Sequence, residues 1–371
     1  MALFFYLLVV LMIKIPGLID PHVHIREPGG EYKEDWDTGT AAALAGGFTT
    51  ILAMPNTRPP VTDKKTLQMA VSSSASKARC DYGHFIGAGA ENLDILEQLA
   101  PHTIGLKMYL DQTFGSLRLD EMTLWMEHFN RWPRDLPIVV HAEGRTMAAV
   151  ILMAAIYNRP VHIAHVALRE EILLIRAAKE KGIKITCEVT PHHLFLTNGD
   201  IPSIGAGRSE VRPRLASLAD QASLWANMDV IDVFATDHAP HTLEEKDGDN
   251  PPPGFPGLET ALALLLTAVH EGRLTMEDLI QRMVIKPRQI FRIPEQPETW
   301  VEVEPEEKWE VRAANMFTRC GWTPFEGRNV SGRVTRVMLH GIEAFHDRQI
   351  LACPGFGKNI RPSDHESTIL E

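Results

Sequence analysis

The chain has 371 residues, 44% of them hydrophobic and 23% charged, the profile of a globular protein long enough for one large α/β barrel with extensions. A formal net charge of −11 argues against a nucleic-acid or anionic-membrane surface, although a local arginine cluster can still take a small anion. Four dispersed cysteines (Cys80, Cys187, Cys320, Cys353), with no CxxC spacing, exclude a disulfide framework and predict a reduced, cytoplasmic protein.

The chain opens on "MALFFYLLVVLMIKIPG". Its apolar run, 2–13, is shorter than the ~20 residues needed to span a bilayer. It also lacks the basic flank and cleavage site of a signal peptide, so a buried strand or an irregular start is expected there. Strand-like runs then recur at 18–25, 48–54, 82–88, 104–110, 137–143, 160–166, 183–189 and 231–236. Helix-like stretches separate most of them, such as "DKKTLQMAVSSSASKA" and "REEILLIRAAKEKG", the latter closing on lysines and a glycine. Eight such units predict a closed (β/α)8 barrel over 16–297. Long links at 191–227 and 244–257 read as loops of the kind that carry substrate contacts. From 298 the pattern turns to apolar–polar alternation, which predicts a small β appendage made of 298–356 and 1–15. The polar end, 357–371, reads as a mobile tail or linker.

Polar groups gather at the ends of the barrel runs. His22 and His24 lie two apart and share a strand face. Lys107 interrupts the fourth run, His141 and His165 end the fifth and sixth, and Asp237 ends the eighth. The C-terminal rim is where such barrels do chemistry, and His-rich sets there are metal ligands. A buried lysine is costly as an ammonium, whereas its neutral amine adds CO2 to become a carbamate with one oxygen for each of two metals. A bridging hydroxide then forms near neutral pH, and Asp237 is placed to move its proton. Metal ligation with no proton role is the other reading of Asp237.

The motifs "PGLIDPHVHIREPG", "AMPNTRPP", "GLKMYL", "HAE", "CEVTPHHL", "EVRP", "TDHAPHTLEEK" and "PPPGFPGLET" resemble the dihydroorotases of the amidohydrolase superfamily over 16–356. The likeness is strongest to the dihydroorotase domains of animal multifunctional pyrimidine-synthesis proteins. The resemblance implies two zinc ions, a carboxylated Lys107, and reversible cyclisation of N-carbamoyl-L-aspartate to L-dihydroorotate. It implies that His22, His24, Lys107 and Asp237 bind one zinc, and Lys107, His141 and His165 the other. Both substrate forms keep a spectator carboxylate, which Arg26, two residues past His24, would grip bidentately. Asn56, Arg212, His241 and Pro253 are implied as further substrate contacts, and Thr113 and Phe114 as a flexible loop over them. Animal members carry a third zinc on the glutamate matching Glu188 and a cysteine just before His165. Ala164 stands there and offers no donor, so that ion is not expected. A homodimer, and covalently linked carbamoyl phosphate synthetase and aspartate transcarbamylase domains, are also implied. Competing readings are a hydantoinase, dihydropyrimidinase or allantoinase, and a non-catalytic scaffold. The arginines argue against the first group, and the filled ligand positions against the scaffold.

Overall fold

Apolar runs bounded by capped helices dictate the architecture of the computed structural model, which describes residues 12–361. Strand β1 (Ile13–Pro16) precedes the barrel strands β2 (Leu18–Val23), β3 (Phe48–Ala53), β4 (Asp81–His84), β5 (Ile86–Gly87), β6 (Leu106–Tyr109), β7 (Ile138–His141), β8 (Val161–Ile163), β9 (Ile185–Val189) and β10 (Val233–Phe234). From β2 to β4 and from β5 to β10, neighbours pair in parallel. Phe85 joins β4 to β5, its N–H reaching the Ala53 carbonyl at 3.0 Å, so the two form one stave and the barrel has eight. The ring closes where Val23 bridges His238 and the His24 N–H meets the His238 carbonyl at 2.7 Å. Asp20 reinforces that closure by accepting from the Thr236 hydroxyl at 2.5 Å and the Thr236 N–H at 3.2 Å.

A helix follows every stave. Asp35, Asp63 and Ser217 cap three of them with capping boxes to Thr38, Thr66 and Asp220. Helix Arg169–Glu180 stops where the sequence predicts, with Gly182 in the left-handed region at φ 75°. Ile19, Leu52, Phe85, Val139 and Ala164, from five different staves, meet Phe291 in one buried cluster, so the barrel is packed and not a pore.

Strands β11 (Trp300–Glu310), β12 (Asn329–Leu339), β13 (Ile342–His346) and β14 (Gln349–Ile350) form an antiparallel sheet with β1 at its edge, Ile13 opposite Val303. The apolar run at 2–11 and the tail at 362–371 lie outside the described residues. The described part of the expected mobile tail differs from that reading. Residues 357–361 lie along β4: the Tyr82 N–H donates to the Lys358 carbonyl at 3.0 Å and the Ile360 N–H to the Tyr82 carbonyl at 2.9 Å. The free edge of β4 left by the break at Phe85 supplies those partners, and Ile360 is buried there. No helix among the described residues is long and apolar enough to cross a membrane.

Candidate metal centre and substrate pocket

Five of the eight staves bring a polar side chain to a common cluster: His22 and His24, Lys107, His141, His165 and Asp237. The His22 ring lies 5.2 Å from His24 and 5.3 Å from His165, and the His141 and His165 rings 4.6 Å apart, centroid to centroid. Asp237 Oδ1 stands 3.0 Å from His24 Nε2 and 3.3 Å from His22 Nε2. Ligand atoms of His22, His165 and Asp237 all fall within 4.8 Å of one another. Lys107, fully buried, points its amine over the Tyr109 ring at 5.2 Å. Two of these residues hold unusual backbone: φ is 36° at His165 and 48° at Asp237. Left-handed backbone costs a non-glycine residue about 1 kcal/mol or more and is held where surrounding structure demands it.

The electrostatics suit a cation that these residues would surround. Burial draws His24 down to about 4 and lowers His141, and it takes His165 well below the usual imidazole range with His141 adding to the effect. These rings are therefore neutral and ready to ligate. Burial opposes the charge of Asp237, but His22 and His24 beside it hold the carboxyl well below its ordinary value. Burial also draws the Lys107 ammonium down to about 8, against the pull of Glu188 and Asp237. Lys107 Nζ and His165 Nδ1 have no hydrogen-bond partner among the described residues, and His141 Nε2 has only the Glu143 carboxylate at 3.4 Å. Orphaned donors and acceptors in a buried site call for a missing partner. Neutral imidazoles, an ionised carboxylate and an unpartnered amine fit a divalent metal site.

Arg26, Asn56, Thr113, Phe114, Arg212 and Pro253 line one cavity together with His24 and Asp237. Arg26 is buried, and its Nε donates to the Pro240 carbonyl at 3.0 Å. Asn56 accepts from His24 Nδ1 at 2.6 Å and donates to the Phe114 carbonyl at 3.1 Å, joining His24 to the loop. Arg212 pairs with Glu210 at 2.9 Å. His241 stands one layer back. It is fully buried, accepts a hydrogen bond from the Lys33 ammonium at Nδ1 (3.0 Å), places Nε2 3.0 Å from Arg26 Nη2 and 3.1 Å from the Pro253 carbonyl oxygen, and meets the Phe114 ring edge-on at 4.9 Å.

Glu188 is spoken for. Its carboxylate contacts His22 Nδ1, His162 Nε2 at 3.1 Å and the His165 N–H at 3.2 Å. Ala164 belongs to the apolar cluster inside the barrel, and burial pushes the Cys187 thiol up to about 12. His162, Lys33 and Tyr109 were not singled out from sequence. His162 sits mid-run like a core histidine, Lys33 sits in a loop, and the tyrosine has a β-strand profile. Only burial reveals them.

A family model described as dihydro-orotase-like matches residues 11–97. The chain is 55% identical to the multifunctional protein CAD of Squalus acanthias, over 94% of this chain and 16% of that protein. It is 34% identical to the dihydroorotase of Pyrococcus furiosus, over 96% of this chain and 87% of that one. Among solved structures, the L-hydantoinase of Arthrobacter aurescens matches with a TM-score of 0.89 at 23% identity, covering 94% of this chain and 88% of that one. The inactive dihydroorotase-like domain of a Chaetomium thermophilum CAD-like multifunctional protein matches with a TM-score of 0.81 at 29% identity, covering 94% and 99%.

Proposed function

The chain belongs to the dihydroorotase family, and from that membership we propose that it interconverts N-carbamoyl-L-aspartate and L-dihydroorotate at the rim built by His22, His24, Lys107, His141, His165 and Asp237. The observation that carries this reading is the buried, unpartnered Lys107 amine among neutral histidines. Carboxylated by CO2, Lys107 would join His22, His24, His141, His165 and Asp237 in holding the zinc. When bound, the zinc ions supply an acidified water near neutral pH and polarise the carbonyl under attack.

The remaining steps belong to protein groups. In hydrolysis Asp237 takes the proton of the attacking water and passes it to the ring nitrogen as the C–N bond opens; cyclisation reverses both transfers. Arg26, supported by Arg212, grips the spectator carboxylate, which turns the ring over Asp237. Thr113 and Phe114 cover the bound substrate and exclude water, which the condensing direction requires. Glu188 orients His22 through its Nδ1 and is not counted as a ligand of a third zinc, because Ala164 brings no donor beside it.

The chain spans 16% of the multifunctional relatives it matches. Linked carbamoyl phosphate synthetase and aspartate transcarbamylase domains, and a homodimer, are part of the proposal on that likeness alone. A hydantoinase reading has the shared barrel in its favour. Arg26 at the pocket wall opposes it, because a ring without a carboxylate leaves that buried guanidinium facing no anion. Assaying dihydroorotate against unsubstituted dihydrouracil and hydantoin tests this: preference for the carboxylated ring, with KM raised about tenfold by Arg26→Lys, is expected. Equal turnover of all three rings would favour the hydantoinase reading.

A further inference from the structure

Lys246 ends the short helix Leu243–Lys246 and is fully buried, yet among the described residues its ammonium forms no ion pair with a carboxylate. It donates to three backbone carbonyls instead: Glu210 at 2.7 Å, Pro252 at 2.9 Å and Gly254 at 3.3 Å. The Phe255 and Trp322 rings lie 5.7 and 5.5 Å from it. The carboxylate of Glu210 is turned away to Arg212. Burying a cation without a counter-charge is expensive, so the three carbonyls and two ring faces must hold it by design of the fold.

The carbonyls it fastens are informative. Glu210 stands two residues before Arg212, and Pro252 and Gly254 flank Pro253; Arg212 and Pro253 line the same cavity. The run Pro251–Pro253 has no backbone N–H to offer, so this loop cannot knit itself together and needs a donor from outside. Lys246 supplies one. The two segments are further tied by the Gly254 N–H on the Glu210 carbonyl at 3.0 Å.

We propose that Lys246 is a positioning residue for the substrate pocket: its ammonium sets the backbone two residues before Arg212 and on either side of Pro253, so that both meet the bound ring. The inference rests on the dihydroorotase reading. It is tested with Lys246→Met in the full chain, measuring KM and kcat for dihydroorotate, zinc per chain and Tm. KM is expected to rise about tenfold, kcat to change less than about threefold, and zinc to stay constant. In an Arg212→Met background the same change should raise KM far less, because the two act as one unit. If Lys246→Met does not fold, Lys246→Gln, which keeps a shorter donor, is judged by the same criteria. A lower Tm with unchanged KM, or fully additive KM effects, would overturn the inference. A wild-type protein without turnover of dihydroorotate would overturn the underlying activity instead, a result distinct from any change confined to the variants.

Discussion

Lys107 is the residue whose placement a packed core does not explain. Its amine is buried, has no partner among the described residues and loses its proton near pH 8 through burial. Only the neutral amine attacks CO2, so metal-free protein reloaded with zinc at fixed dissolved CO2 should recover activity faster above that pH than below it. A pH-independent recovery rate would contradict the carbamate. Lys107→Ala should lower turnover by about 10³-fold and reduce bound zinc, and added short carboxylic acids should partly restore both. Asp237→Asn should lower kcat by a similar factor, on the order of 10³, while most zinc is retained; parallel losses of metal and rate would leave Asp237 a ligand only. These residues were legible because each is a lone polar group in or at the end of an apolar run. Lys246 and Lys33 were not, because a loop lysine looks solvated until its burial is seen.

At the scale of elements, the loop carrying Phe114 is the most exposed part of the site to test. Its ring is faced by Arg26 at 5.3 Å, Lys33 at 4.9 Å and Arg58 at 5.4 Å, and its carbonyl is held by Asn56. Three cations around the ring favour keeping it over the pocket. Phe114→Ala should therefore raise KM about tenfold and leave Tm nearly unchanged, as expected of a surface loop; a large fall in Tm with normal KM would make the loop structural. All eight staves were readable as apolar runs. The last was overread: 231–236 contains a strand only at Val233–Phe234, because the chain leaves the ladder to enter the left-handed turn at Asp237. The pinning of 357–361 on β4 was not readable, since backbone-to-backbone bonds leave no side-chain pattern.

Across the whole molecule, a chain of net charge −11 concentrates Arg26, Lys33, Arg58 and Arg212 around two adjoining pockets that share Arg26, Asn56 and Phe114, a local field that favours an anion where the net charge opposes one. Glu259 ties the barrel to the segment that leads into β12, accepting the Phe317 and Thr318 N–H groups, each at 3.0 Å. Burial, with Glu34 nearby, raises its pKa from 4.5 to about 8. Between those values the folded protein keeps a proton that the unfolded chain releases, so stability falls as pH rises through the window. Glu259→Gln should flatten that part of the Tm–pH curve; parallel curves for the two proteins would contradict the assignment. The barrel itself is shared with an L-hydantoinase and with a domain described as inactive. Fold alone thus decides nothing about activity, and the rim must.

The most direct measurement is a crystal structure of the purified protein with anomalous maps at the zinc edge. Two peaks are expected, bridged by branched density on Lys107 Nζ and ringed by His22, His24, His141, His165 and Asp237. An unmodified lysine with no metal at the rim would contradict the account.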